Sequence, residues 1–359
     1  MMLRFSSCLL LGVFLWIQPA CTGSIDTADD AGVVDSGGED GMDAGGDTGG
    51  DTGGDTGGDT GGDLGGDLAG SGSILFVEPF EDSDFGSRGW YDAPSGDLSS
   101  AEHIPNSTYS FECFFEQGQR GCRGGTPGRH EFEETETVYL SYWVKYSENY
   151  VGSQRSYHPH EFHFITNKDD RWVGPAHSHL TTYTEQVGGV VRIALQDSRN
   201  NDPNCILLNN DSFVGCNGDF DSYVFSEARS VCSCNGLIGD LEGRDCFSFG
   251  DGYYSARYWD SQDQMFRDEP GPYYKNDWHF IESYFEMNSI EDGVGVPDGV
   301  IQYWYDGELV LDHHHILMRT GQHPDMRFNQ FLVAPYIGDG SPVDQRMWVD
   351  DLTVATGRL

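Results

Sequence analysis

Basic residues are scarce in this sequence. Only 20 Lys and Arg stand against 59 Asp and Glu in 359 residues, which gives a formal charge of −39. Without Arg4 and the 13 acids between Thr22 and Gly72, the rest of the chain still has 19 basic and 46 acidic residues. So acidic a surface repels phosphate backbones and anionic lipid headgroups. The composition therefore argues against a nucleic-acid partner and against electrostatic binding to a membrane.

Long apolar runs are also missing, apart from one at the N-terminus. Residues 1–20 have one positive charge and a short apolar core, which is typical of a secretion signal and too short for a membrane-spanning helix. Cys21 follows directly and resembles the acylated cysteine of bacterial lipoproteins, although Gln18 replaces the usual aliphatic residue. The resemblance implies a lipid anchor at Cys21 and, since Thr22 rather than Asp follows, the outer membrane. An ordinary secretory signal cut near Ala20 is the alternative.

Residues 21–72 have almost nothing to bury. They contain no Lys or Arg and repeat Gly-Gly-Asp-Thr, later Gly-Gly-Asp-Leu. Such a segment cannot offset the entropy of folding, and its carboxylates repel one another. We therefore predict a disordered tether. A calcium-binding Gly/Asp repeat is the alternative, but the known repeat is nine residues long and has large apolar positions.

Helical periodicity is almost absent after Ser73. Short runs of aromatic and β-branched residues alternate with polar ones instead, which predicts strands. The predicted strands are Ile74–Phe80, Thr137–Tyr146, His160–Thr166, Thr181–Gln186, Val190–Gln196, Trp278–Met287, Gly299–Leu311, Met326–Tyr336 and Met347–Ala355. Many strands without intervening helices predict one all-β, antiparallel two-sheet sandwich over residues 73–359.

The cysteines predict disulfides, because an exported chain meets an oxidising compartment. The predicted pairs are Cys113 with Cys122, Cys205 with Cys216, and Cys246 with Cys232 or Cys234. Five of these cysteines lie in residues 198–275, which we interpret as a long disulfide-bonded insertion. A metal site at the Cys-Ser-Cys sequence is disfavoured, since zinc sites usually have two or more residues between paired cysteines.

Motifs in the last third of the chain resemble those of a known fold. The motifs are Asn276–His279, Tyr284–Asn288, Asp298–Glu308 and the closing run Trp348–Leu352. In this order they resemble concanavalin A-like jelly rolls, such as laminin-G-like modules and several polysaccharide lyases. The resemblance implies a carbohydrate-active domain: a lyase of a uronic-acid-containing glycan, or a non-catalytic lectin-like or adhesin domain. Asp306-Gly307 also predicts a two-residue hairpin turn.

Histidines are concentrated in one stretch, with five of twelve inside 22 residues. These five are His158, His160, His163, His177 and His179. Alternation in the predicted strand places Glu161 with His163 and places His160 with Phe162. Hydrogen bonding within the fold, acid–base catalysis and metal binding are the three interpretations that remain open.

A uronate lyase must neutralise the sugar carboxylate, abstract the adjacent proton and protonate the leaving oxygen. Candidate catalytic residues on predicted strands are His163, Arg192, Tyr142 and Tyr284, and candidate substrate-binding residues are Lys145, His160, Arg327, Asn329 and Gln330. We predict that Lys145, Arg192, Arg327 and His163 line one cationic or neutral groove in an otherwise acidic shell. Added salt should then improve binding of an acidic glycan.

Acidic pairs occur near both ends of the predicted domain. Jelly rolls of this type often join their terminal strands through an oxygen-ligated ion, which implies structural calcium at Glu81 and Asp351. Acidic turns without an ion are the alternative. We expect a monomer whose partner is a polysaccharide and whose only contact with the membrane is the lipid anchor.

Overall fold

The computed structural model describes residues 72–155, 158–175, 178–196, 231–232, 253–255, 257–321 and 323–359. These residues form two antiparallel sheets that pack face to face as a sandwich, as the sequence predicts. A 3-10 helix spans Phe85–Arg88. Within these ranges no helix is long and apolar enough to span a bilayer.

The larger sheet has eight strands. They are β1 (Ile74–Glu78), β3 (Asp97–Ser99), β4 (Ser110–Phe115), β6 (Thr137–Tyr146), β13 (His279–Glu286), β16 (Gly299–Tyr305), β17 (Glu308–Ile316) and β19 (Gln345–Ala355). Their order is β17-β16-β13-β6-β19-β4-β3, and β1 also pairs with β19.

The smaller sheet has seven strands. They are β2 (Trp90–Tyr91), β5 (Gly128–Thr135), β7 (His160–Thr166), β8 (Thr181–Val187), β9 (Val190–Gln196), β12 (Arg257–Gln264) and β18 (Phe328–Tyr336). Their order is β12-β9-β8-β7-β18-β5-β2. Two short pairs stand apart: β10 (Val231–Cys232) with β11 (Tyr253–Ser255), and β14 (Ile290–Glu291) with β15 (Val294–Gly295).

The core between the sheets is rich in aromatic residues. Phe164 of the smaller sheet contacts Phe285 of the larger one with 5.9 Å between ring centroids, and Phe162 lies 4.4 Å from Tyr142. A polar contact also crosses the core, since the hydroxyls of Thr184 and Ser283 lie 2.9 Å apart. Alternation in the strand sequences selects these side chains, because every second residue points to the same face.

The Asp306-Gly307 turn is confirmed. Both residues have positive φ, 51° and 83°, which a two-residue turn with the twist of a hairpin requires. The turn divides the predicted strand Gly299–Leu311 into β16 and β17. The structure adds strands that alternation did not reveal, including β4 and β5 before Thr137.

The Cys113–Cys122 disulfide is confirmed. The other predicted pairings involve cysteines whose side chains lie outside the described residues. The predicted insertion 198–275 extends too far, because Arg257–Gln264 is a strand paired with β9 at the edge of the smaller sheet. Cys21 and residues 1–71 also lie outside the described ranges.

Candidate active site

Strand β7 departs from simple alternation at its start. Glu161 and Phe162 both point into the sandwich, where they contact Tyr146 and Tyr142. His160 and His163 both point outward, with 6.3 Å between their ring centroids. The predicted pairing of Glu161 with His163 on one face is therefore wrong. Its cause is a local irregularity, since the pairing of β7 with β18 shifts register here.

A buried carboxylate organises the outer face of the smaller sheet. Glu185 accepts a hydrogen bond from His160 Nδ1 at 2.7 Å and one from Arg192 Nε at 2.8 Å. Burial disfavours its ionisation, but the charge of Arg192 and the hydrogen bonds outweigh this and lower the pKa of Glu185 to about 2. The carboxylate is therefore ionised and fixes the orientation of both partners. Tyr258 covers Arg192, with the guanidinium 4.6 Å from the ring centroid.

His163 lies beside this carboxylate and next to a tyrosine. Its ring centroid is 4.7 Å from that of Tyr183, which also lies 4.8 Å from His160. Burial lowers the pKa of His163 to about 3, so the imidazole is neutral near pH 7. Its Nδ1 is buried and has no hydrogen-bond partner. A neutral imidazole with an unpaired nitrogen can accept a proton.

We call this group the histidine face. It consists of the outward side chains of His160, His163, Tyr183, Glu185 and Arg192. His160 is its most open member, with 28% of its side chain exposed, whereas His163 is 2% exposed.

A polar and aromatic cluster continues the same sheet toward its other edge. Tyr91 Oη lies 3.2 Å from Oε1 of Gln330, the predicted substrate-binding residue. The guanidinium of Arg171 lies 4.2 Å from the Tyr91 ring centroid and 5.2 Å from that of Trp172. Trp172 is 56% exposed. Arg171 also pairs with Glu131 at 3.2 Å, so the exposed indole is the part of this cluster that is suited to contact a sugar ring.

Three other predicted site residues lie elsewhere. Tyr142 is buried between the sheets and contacts Phe162. Tyr284 and Lys145 point outward from the larger sheet, where they bind Glu286 and Glu102 respectively. The structure therefore does not bring these three residues to the histidine face.

The predicted four-residue groove is wrong. His163 and Arg192 share a face, but Lys145 belongs to the other sheet and Arg327 precedes β18, where it pairs with Glu136 at 2.9 Å. Asn329 lies on β18 with a buried, unpaired Oδ1. Faces on two different sheets cannot be assigned from alternation alone, because alternation gives only relative orientation within a strand.

Of the two predicted calcium ligands, Glu81 and Asp351, Glu81 lies beside the neighbouring residue Asp350 instead. Glu81 accepts hydrogen bonds from Ser107 Oγ at 2.8 Å and Thr108 N at 2.9 Å, and the same Ser107 hydroxyl lies 3.2 Å from Asp350 Oδ1. The structure therefore associates Glu81 with Asp350 rather than with Asp351. In the described part of the chain, no group of three His, Cys, Asp or Glu could hold a metal ion. Structural calcium stays a prediction.

Sequence reasoning missed Glu185 and Tyr183. Both lie in the correctly predicted strand Thr181–Gln186, and alternation places them on one face. They belong to the candidate site because of the residues on the neighbouring strands. Glu185 lies opposite Arg192, and Tyr183 lies opposite His163. A search for opposite charges at facing positions of consecutive strands would have found the first pair.

Comparisons with known proteins find similar solved structures at low sequence identity. No protein-family model and no curated protein matches the sequence. Similar solved structures include an alginate lyase from a Chlorella virus, with 13% identity, a TM-score of 0.48, and coverage of 79% of this chain and 100% of that one. An endo-β-1,4-glucuronan lyase from the fungus Trichoderma reesei has 12% identity and a TM-score of 0.43, covering 80% and 96%. An alginate lyase from Aplysia kurodai has 12% identity and a TM-score of 0.41, covering 79% and 99%. Likenesses at this level assign no role to any side chain.

Proposed function

We propose that this protein is a polysaccharide lyase that cleaves a uronic-acid-containing glycan at the histidine face. In such a reaction a base removes the proton from the carbon beside the sugar carboxylate. The electron pair forms a carbon–carbon double bond as the bond to the glycosidic oxygen breaks, and that oxygen takes a proton from an acid. No metal or redox step is needed for this balance.

The histidine face offers side chains for each step. His163 is neutral and carries the unpaired nitrogen, and it serves as the base once the face opens and burial no longer lowers its pKa. The Tyr183 hydroxyl is the proton donor for the leaving oxygen, since its ring packs directly against His163. Arg192, oriented by Glu185, supplies N–H donors that stabilise the substrate carboxylate as negative charge builds on it.

One observation supports the proposal above the others. His163, Arg192 and a tyrosine meet on one face of one sheet, although they come from three different strands. That convergence is what acid–base chemistry requires. Because His163 and Tyr183 are almost fully buried, this face has to open before a sugar ring can reach them.

We further propose that the domain is held at the outer membrane by a lipid anchor and a flexible tether. An acylated Cys21 would hold the protein in the outer membrane, and residues 22–72 would let the domain reach polymeric substrate. A non-catalytic lectin-like domain would use the same anchor, so only the chemistry distinguishes the two functions.

A screen of polyuronates tests the proposal. The full chain is incubated with alginate, a glucuronan and a pectic polymer, and the absorbance of the unsaturated product is followed. A lyase produces this absorbance with at least one polymer. Retardation of the protein in a gel that contains the polymer, without any product, would instead favour the lectin-like function.

A further inference from the structure

The outer face of the larger sheet carries a groove on the opposite side of the sandwich from the histidine face. The groove has a volume of about 790 Å³, within the range of small-molecule sites. Strands β6, β13 and β19 form its floor, and Trp278 and the Asp306-Gly307 turn contribute to its walls. We call it the aromatic groove.

The floor of the aromatic groove is held in place by one buried carboxylate. Glu282 is 3% exposed and accepts a hydrogen bond from Tyr139 Oη at 2.8 Å. Arg358 donates to both of its oxygens, at 2.7 Å and 3.0 Å, and also lies over the ring of Trp304 at 4.6 Å. These contacts fix the side chains before any ligand arrives, which lowers the entropy cost of binding.

Aromatic rings provide the apolar surface of the groove. Trp143 and Phe280 contact each other on neighbouring strands, with 5.2 Å between centroids and 46° between planes. Trp278 lines the groove two residues before Phe280. All three rings are partly exposed, so they offer flat apolar area to a ligand. The C–H face of a pyranose ring is the complement of such a surface, while its hydroxyls need polar partners.

The charges of the groove define which sugar fits. Asp306 and Asp351 line it together with Glu282, and among the described residues the only lining cation is Arg358, which Glu282 already neutralises. A net negative groove repels a uronate, but carboxylates accept hydrogen bonds readily from neutral hydroxyls. We propose that the aromatic groove is a second carbohydrate site and that it binds a neutral oligosaccharide. The site does not depend on the lyase proposal.

Affinity electrophoresis of the full chain tests this site. The gels contain a neutral β-glucan, a neutral mannan, a neutral galactan or a polyuronate. We expect retardation by at least one neutral polymer, and an affinity about tenfold lower in Trp278→Ala. Tyr109→Ala is the matched control, because Tyr109 is an exposed aromatic outside the groove, and it should bind within about twofold of the wild type.

A second variant keeps the test valid if Trp278→Ala does not fold. Thr353→Tyr adds a ring at the groove floor and should weaken neutral-glycan binding by obstruction. The proposal is overturned if no neutral polymer retards the wild type, or if both groove variants bind like the Tyr109→Ala control. Loss of lyase activity in a His163 variant, with neutral-glycan binding retained, would show that the two sites are separate.

Discussion

At the scale of single residues, Glu185 is the centre of the proposed chemistry. It is fully buried and ionised between Arg192 and His160, and its hydrogen bonds fix both side chains. Burying an isolated carboxylate would cost desolvation free energy, and the contacts with Arg192 and His160 offset that cost. The arrangement resembles other acid–base sites in which a carboxylate orients an imidazole.

The Tyr183 hydroxyl should be needed for turnover. We expect Tyr183→Phe to lower kcat by at least about 100-fold with little change in KM, because the variant removes the proton donor, together with the hydrogen bond from its hydroxyl to Gln196, and keeps the ring. Initial rates of formation of the unsaturated product measure both constants. Tyr284→Phe is the matched control, since this tyrosine lies on the larger sheet, away from the histidine face, and should keep near-normal rates. Equal losses in the two variants would contradict the role of Tyr183.

His163 should make stability depend on pH. Burial holds its pKa at about 3 against an ordinary 6.5, so between these values the unfolded chain binds a proton that the folded chain does not. Stability from this group is thus complete above pH 6.5 and is lost as the pH falls toward 3. Asp350 acts in the opposite direction, because burial raises its pKa to about 6.

Comparison of variants isolates the contribution of His163. The unfolding free energy of both proteins is compared at pH 6.5 and pH 5. Its fall between these values should be smaller in His163→Gln than in the wild type, by on the order of 1–2 kcal/mol. Asp350 is present in both proteins and cancels. Urea unfolding at each pH measures the difference, and His315→Gln, which alters an exposed histidine, should behave like the wild type. Parallel pH curves for wild type and His163→Gln would mean that the pKa of His163 is not lowered.

At the scale of strands, the pattern of alternating residues located most of the sandwich. Strands β6, β7 and β9 have the predicted bounds, because each is rich in the aromatic and β-branched residues that favour strands. The irregularity at Glu161-Phe162 could not be predicted, since it depends on the register of β7 with β18, which is far away in sequence. The predicted groove with Lys145 and His163 failed for a related reason, since the sequence does not show to which sheet each strand belongs.

The junction of the first and last strands is where calcium is proposed. β1 pairs with β19 in antiparallel register, and Glu81 and Asp350 both bind Ser107 beside this pairing. If an ion binds only the folded state there, it stabilises the protein by mass action. We expect a chelator to lower the melting temperature of the wild type but not that of Glu81→Gln. An unchanged melting temperature of the wild type would contradict structural calcium.

At the scale of the whole molecule, the N-terminal sequence predicts attachment to a membrane. Cys21→Ala should move the protein from the membrane fraction to the soluble fraction, because the acylated residue is lost. Fractionation followed by immunoblotting measures this, and Ser24→Ala serves as a control that leaves the lipobox-like sequence intact. Continued membrane association of Cys21→Ala would contradict the lipid anchor.

The large negative charge bears on substrate capture by the whole protein. A chain of formal charge −39 repels a polyuronate at long range, and salt screens this repulsion beyond roughly 8–10 Å. Composition alone therefore predicts that moderate salt raises the rate of capture. The local arrangement of Arg192 with Glu185 could not be read from composition, since it depends on two strands meeting in register.

The central claim is β-elimination at the histidine face, and the structure of the products tests it most directly. Polyuronate digests made by wild type, His163→Gln and His315→Gln are compared by mass spectrometry. The account predicts unsaturated chain ends with wild type and His315→Gln, and at least about 100-fold fewer with folded His163→Gln. Saturated ends, or equal product from His163→Gln and wild type, would contradict it.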